Sequence, residues 1–324
     1  MKVFRGLPNA TSRAPCALAI GNFDGVHRGH QALLRRVCEM ANVLGIEAAV
    51  MTFEPHPREY FAHMAGDISK APTRIANLRD KLEALETASI DRVIVEHFNA
   101  HFSALSPRDF IEKILVEGLH VKWLIVGEDF GFGNKRTGNI HTLKEAGKHH
   151  GFQVETMSTV SYEGTRVSSS AVRHALALGD FTHAQELLGH AFAISGHVVH
   201  GKKLGRTIGF PTLNVRITHK RPVLSGIFAV RVYGLAKYPL EGVASLGVRP
   251  TVDDSGQVLL ETFIFDYAEE CYGKVIRVEF LKKLRDEEKY DNLDTLTEAI
   301  AADAHAARTF FAERSRLTLT EFPS

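Results

Sequence analysis

Along the first half of the chain, short continuous apolar runs alternate with longer stretches of helical periodicity. Residues 16–20 (CALAI), 48–53 (AAVMTF), 92–95 (RVIV) and 123–126 (WLIV) read as strands buried on both faces, the pattern of a parallel sheet. Between the first two, Leu33, Leu34, Val37, Met40, Ala41 and Leu44 fall on one helical stripe. Ser106-Pro107 supplies a cap and a first-turn proline for another helix, which carries Phe110, Ile111, Ile114 and Leu115 inward and ends at Gly118. This alternation predicts a doubly wound α/β domain. From about Ala191 the texture changes to β-rich runs between turn residues, at 193–200, 226–233, 241–246, 259–265 and 275–281. That spacing predicts a small antiparallel β-barrel, followed by a C-terminal helix from Leu293 to about Phe311 with Leu296, Ile300 and Ala304 on its stripe. Two short helical turns within 179–190 connect the halves, and the expected domains are 1–187 and 188–324.

Composition narrows the class without naming it. A formal net charge of +1 over 324 residues gives no reason to expect a nucleic-acid or membrane-surface partner. Cys16, Cys38 and Cys271 stand far apart, an odd count that argues against a disulfide framework and for the reducing cytoplasm. The first ten residues lack the apolar core of a signal peptide, and no apolar run approaches the ~20 residues of a membrane span. A homo-oligomer is compatible with this composition. The charged run 282–294 reads as a solvated face, and Trp123 and the phenylalanines at 98, 102, 110, 130 and 132 read mainly as packing.

The strongest local signal is Gly21-Asn22-Phe23-Asp24-Gly25-Val26-His27-Arg28-Gly29-His30, set between the first strand and the first helix. In a doubly wound sheet that is the carboxyl end of a strand, where ligands bind. Glycines there let the backbone approach a phosphate, and the following helix N-terminus offers free N–H groups. Two histidines can share the charge developing on phosphate oxygens. They also read as ligands of a structural metal, for which no third and fourth ligand stands at zinc-like spacing, His56 being available only through the fold. G-x-G-x-x-G is absent.

Two further segments carry chemistry in the first half. One is Gly127-Glu128-Asp129-Phe130-Gly131-Phe132-Gly133; the other is Arg166-Val167-Ser168-Ser169-Ser170-Ala171-Val172-Arg173, read as the opening of a later helix. Arginines beside a serine-capped helix start can hold phosphates, or the serines can be simple caps with surface arginines. The second half carries Gly205-Arg206-Thr207-Ile208-Gly209-Phe210-Pro211-Thr212-Leu213-Asn214, which lacks the spacing of a phosphate-binding P-loop. In an extended segment Thr212 and Asn214 point to one side, and their oxygens are hard ligands suited to Mg²⁺; the alternative is a buried turn with Asn214 as a cap. Glu261 interrupts the otherwise apolar 259–265 and reads either as solvent-exposed on an edge strand or as drawn into a cleft at a strand's inner face.

The decapeptide resembles the HxGH signature of nucleotidyltransferases. With the two segments after it, the first half resembles the adenylyltransferase half of bacterial bifunctional FAD synthetases, the riboflavin kinase/FMN adenylyltransferase family. The second half resembles the riboflavin kinase domain through Pro211-Thr212-Leu213-Asn214, Gly226-Ile227-Phe228, Gly247-Val248-Arg249-Pro250-Thr251, Glu261, Tyr272-Gly273-Lys274 and Leu284-Arg285. Departures are Gly131 for a usual Arg, Ser170 for Thr, Val172 for Ile, Lys202 for Asp, Leu213 for Ala and Phe228 for Tyr.

The resemblance implies ATP-dependent conversion of riboflavin to FMN and then of FMN to FAD, with Mg²⁺. It implies catalysis by His27, His30 and Glu261, nucleotide contacts at Gly21, Phe23, Asp24, Gly29, Arg166, Ser168, Ser169, Arg173, Gly205, Thr212 and Asn214, metal at Thr212 and Asn214, and flavin contacts at Asn22, Phe53, Asp129 and Phe210. A pantetheine- or nicotinate-directed nucleotidyltransferase would leave the second half unexplained. A non-catalytic flavin-binding regulator would be expected to have lost His30, Asn214 or Glu261, and all three are present.

Overall fold

A computed structural model describes residues 1–200, 209–217, 221–248 and 258–321. The chain divides into two compact units, Met1–Pro72 with Asp80–Ser169, and Thr73–Arg79 with Ser170–Ser324.

The first unit is built on a six-stranded sheet of β1 (Lys2–Arg5), β2 (Cys16–Ile20), β3 (Glu47–Glu54), β4 (Arg92–His97), β5 (Val121–Gly127) and β6 (Gln153–Met157). The order is β1-β4-β3-β2-β5-β6, with every pair parallel. Every residue of β2 is buried, as its uninterrupted apolar run requires of a strand with helices on both faces. Successive strands step away from β2 in one direction up to β4 and in the other from β5 onward, so the connection after β2 opens at the topological switch point. The Arg28–Leu44 helix buries Leu33, Leu34, Val37 and Ala41, while Leu44 is exposed at its end and Gly45 closes it in the left-handed conformation. Ser106 caps the 107–118 helix by accepting from Asp109 N at 3.0 Å, and the stretch from Phe110 to Gly118 is wound as a π-helix whose apolar face fills the core. The edge strands β1 and β6 carry no continuous apolar run, because an edge is only partly covered.

The second unit is a closed barrel of β9 (Ala193–Val199), β10 (Thr212–Arg216), β11 (Gly226–Tyr233), β12 (Leu240–Val248), β13 (Val258–Ile264) and β14 (Val275–Arg285), all antiparallel in the order β10-β13-β12-β11-β14-β9. The C-terminal helix, Leu293–Glu321, lays Ala304, Ala307 and Phe311 on the outer face of the barrel against Ile227, Ala229 and Val243. Arg285 at the end of β14 grips Asp303 of that helix through two bonds of 2.8 and 2.7 Å. The connecting turns form helices Ser169–Ala177 and Phe181–Leu188, and Phe181 packs on Phe192, Phe228 and Phe280.

Candidate functional site

Past Ile20 the backbone enters the left-handed region at Phe23 (φ 49°), Gly25 (84°) and Val26 (39°). Phe23 and Val26 are strained there, and the surroundings hold them in place: the two are 1% and 2% exposed. A Cβ at Gly21 would lie 3.2 Å from the Phe23 ring, so the glycine makes room for it. His27 then caps the Arg28–Leu44 helix, its Nδ1 accepting from the backbone N–H of His30 at 3.3 Å. The two imidazoles stack with centroids 3.7 Å apart and planes 14° from parallel. A Cβ at Gly29 would press on the His27 ring at 3.2 Å, so the glycine between the histidines leaves room for that ring. The pair sits at a helix N-terminus at the carboxyl end of the central strand, an arrangement suited to holding an anion.

Lys81 lies beneath this loop and was not singled out from the sequence. It is 1% exposed and donates to Thr52 Oγ1 at 3.2 Å, while Thr52 donates to the carbonyl of Asn22 at 3.1 Å. Its signal is there in retrospect, a lysine on the same helical stripe as Leu78, Leu82 and Leu85.

The serine-rich segment reaches the same loop. Strands β7 (Ser161–Tyr162) and β8 (Thr165–Arg166) form a short ribbon, after which Ser169 donates to the carbonyl of Asp24 at 3.2 Å. Arg166 is exposed in that ribbon and does not open the helix, which starts at Ser169; the preceding residues are spent on strand pairing. Arg28 covers the Tyr162 ring at 4.6 Å. Ser168 is half-buried, and Arg173, in the second unit, donates to the Thr73 carbonyl at 2.7 Å. Phe53 stacks edge-on to Phe98 at 5.8 Å and tilts against Phe102 at 5.7 Å, while Asp129 is exposed in the loop after β5. The space a side chain at Gly131 would enter is filled by the Arg136 guanidinium, whose Nε would stand 3.0 Å from a Cβ there.

In the barrel, β10 is extended and places Thr212 and Asn214 on one face, as their spacing predicts. Across the ladder Thr212 opposes Phe263, and Asn214 opposes Glu261, which is also opposed by Ser245 from β12. Paired residues share a face. Phe263 and Val243 on that face pack under the C-terminal helix, so Glu261 lies on the outer face of the barrel. The inner-face reading of Glu261 is therefore corrected: Leu260 and Thr262, both fully buried, take the interior. Asn214 is 6% exposed, yet among the described residues its Oδ1 has no hydrogen-bond partner. Phe210 meets Phe263 edge-on at 5.3 Å, and a cavity of 310 Å³ beside Thr212 is lined by Leu213, Ile264, Tyr267 and Tyr272 among others. Gly205 lies outside the described residues.

Known proteins share this two-part arrangement. A family model described as FAD synthetase matches residues 9–171, and one described as riboflavin kinase matches 188–311. The chain is 46% identical over 314 residues to the bifunctional riboflavin kinase/FMN adenylyltransferase of Escherichia coli (strain K12), covering 96% of this chain and 98% of that protein. The chain belongs to the riboflavin kinase/FMN adenylyltransferase family. The Haemophilus influenzae member is 44% identical over 312 residues, 96% of this chain and 99% of that one. A solved chain titled as a macrolide-efflux protein from Streptococcus pneumoniae has the same fold, with a TM-score of 0.73 at 26% identity over 95% of this chain and 99% of that one. As a member of the riboflavin kinase/FMN adenylyltransferase family, the chain presents the stacked histidines in its FAD synthetase match and the Asn214–Glu261 pair in its riboflavin kinase match.

Proposed function

We propose that the two activities of this bifunctional enzyme divide between residues 1–187, which adenylylate FMN, and 188–324, which phosphorylate riboflavin. The stacked His27–His30 pair at the switch point carries the first assignment. FMN brings an anionic phosphate, so attack on the α-phosphorus of ATP needs positioning and charge neutralisation more than a base. His27, His30 and the helix N-terminus neutralise charge on the transferred phosphoryl group and the leaving pyrophosphate. Gly21, Phe23, Asp24 and Gly29 shape the loop that admits the phosphates, with Ser168, Ser169, Arg166 and Arg173 holding the triphosphate. Arg136 supplies the cation that the resemblance expects at Gly131. Asn22, Phe53 and Asp129 contact the flavin.

In the barrel, Thr212 and Asn214 would hold Mg²⁺; the orphaned Oδ1 of a nearly buried amide, on one face with a hydroxyl, fits a hard cation. Bound there, Mg²⁺ would neutralise and orient the β- and γ-phosphates of ATP. Glu261 takes the proton of the ribityl 5′-hydroxyl as its oxygen attacks the γ-phosphorus and ADP leaves. The cavity beside Thr212, with Gly205 in the neighbouring sequence, takes the nucleoside, and Phe210 borders the flavin.

The cytoplasm suits this chemistry. Cys16, Cys38 and Cys271 are free thiols, burial pushes Cys16 up to about 11, and among the described residues no helix is long and apolar enough to cross a membrane. Incubation with riboflavin and Mg–ATP, with chromatographic separation of riboflavin, FMN and FAD over time, tests the whole reading. FMN should rise first and FAD follow it. Absence of FMN, or of FAD from supplied FMN, would remove the corresponding half.

A further inference from the structure

The run 282–294, expected as a solvated face, is mostly exposed, Glu287 included, but Arg285 and Glu287 each hold a specific partner. Arg285 is held by Asp303, and its Nη1 also donates to the carbonyl of Asp286 at 3.0 Å, which fixes the chain just before Glu287. The Glu287 carboxylate then turns onto the outer face of the barrel, where Ser245 donates to its Oε1 at 3.3 Å. Ser245 is the ladder partner of Glu261, and Gly247, two residues on, lies on the same face. A Cβ at Gly247 would collide with the Glu287 carboxylate, so this glycine is the cradle that admits it. Partial desolvation, and then the negative charge of Glu261, push the Glu287 carboxyl upward.

Glu287, Glu261 and the Oδ1 of Asn214, which has no partner among the described residues, thus form a row of acceptors on one face. One cation satisfies the Asn214 end. The carboxylate end can accept hydrogen bonds, and a polyol offers hydroxyl donors on successive carbons. Resting on the kinase reading, we propose that Glu287 is a second carboxylate of the acceptor site, accepting a hydrogen bond from a secondary hydroxyl of the ribityl chain and so aligning the terminal hydroxyl with Glu261. It selects for a hydroxylated chain; Glu261 alone handles the proton.

The test uses the full chain and two acceptors, riboflavin and a flavin whose N10 substituent is a plain alkyl chain ending in one hydroxyl. Glu287→Gln should raise the KM for riboflavin about ten- to a hundredfold, the scale of a hydrogen bond to a charged group. Its KM for ATP should stay within twofold, and its rate on the simple hydroxyalkyl flavin should match that of the unaltered enzyme. An unchanged riboflavin KM, or equal losses on both acceptors, would overturn the inference. If Glu287→Gln fails to fold, Ser245→Ala carries the test, because it releases the carboxylate without altering its charge. A loss confined to riboflavin then supports the inference, and no difference between acceptors overturns it. Failure of the unaltered enzyme to phosphorylate riboflavin would instead strike the kinase reading itself.

Discussion

The two candidate sites are assembled in opposite ways. The His27–His30 site is local: ten consecutive residues turn through three left-handed conformations and cap a helix, and the histidines that matter are three apart. The Asn214–Glu261–Glu287 site draws on three segments that meet only through barrel register and the grip of Arg285 on Asp303. A local site is written in a motif and is damaged by small changes in backbone freedom. A register-built site is damaged by loss of a functional atom or of the packing that sets the register.

The largest effect expected is at Glu261. Glu261→Gln keeps size and polarity but removes the proton acceptor, and should lower kcat for FMN formation by about 10²–10⁴ with no rescue by added Mg²⁺. Asn214→Ala should instead respond to a Mg²⁺ titration, since a weakened ligand set is compensated by mass action. If Glu261→Gln is rescued by Mg²⁺, the two residues do not have separate roles and the contrast within the barrel collapses.

Next comes His30→Ala, which should slow FAD formation from FMN by about 10²–10³ while FMN formation stays within twofold. Equal loss of both activities in folded protein would show that the two sites are not independent. Gly29→Ala probes the local site more gently. Its Cβ would press on the His27 ring at 3.2 Å and unseat the stack, and we expect about a tenfold loss of FAD formation, the rate equivalent of roughly 1.4 kcal/mol. A normal rate would mean that the stacking is incidental.

The smallest effect concerns packing. A fragment starting at Leu188 lacks Phe181, whose ring lies 5.9 Å from Phe228 and 6.2 Å from Phe280. Compared with a fragment starting at Ser170, it should keep kinase activity but melt several degrees lower, as expected for loss of a buried aromatic side chain. Equal melting temperatures would show that the two short helices add nothing to the barrel.

Much of this was legible in the chain alone. The runs at 16–20 and 226–233 appear as strands with those same bounds, since an uninterrupted apolar stretch between turn residues has few other uses. The histidine motif is readable because all its parts are contiguous. The edge strands β1 and β6 escaped notice because half-exposed strands need no apolar run.

The sequence by itself determined a parallel α/β half and an antiparallel barrel half, the identity of the HxGH and Pro-Thr-x-Asn segments, and the same-side placement of Thr212 and Asn214. Those properties depend on periodicity and on neighbours within a few residues. The tertiary structure alone decided that Glu261 faces outward, that Lys81 supports the histidine loop, that Arg136 fills the space above Gly131, and that Glu287 leaves a charged run to join the barrel face. Each of these requires two segments distant along the chain to be brought into contact, and a one-dimensional pattern carries no record of which distant partner a side chain will meet.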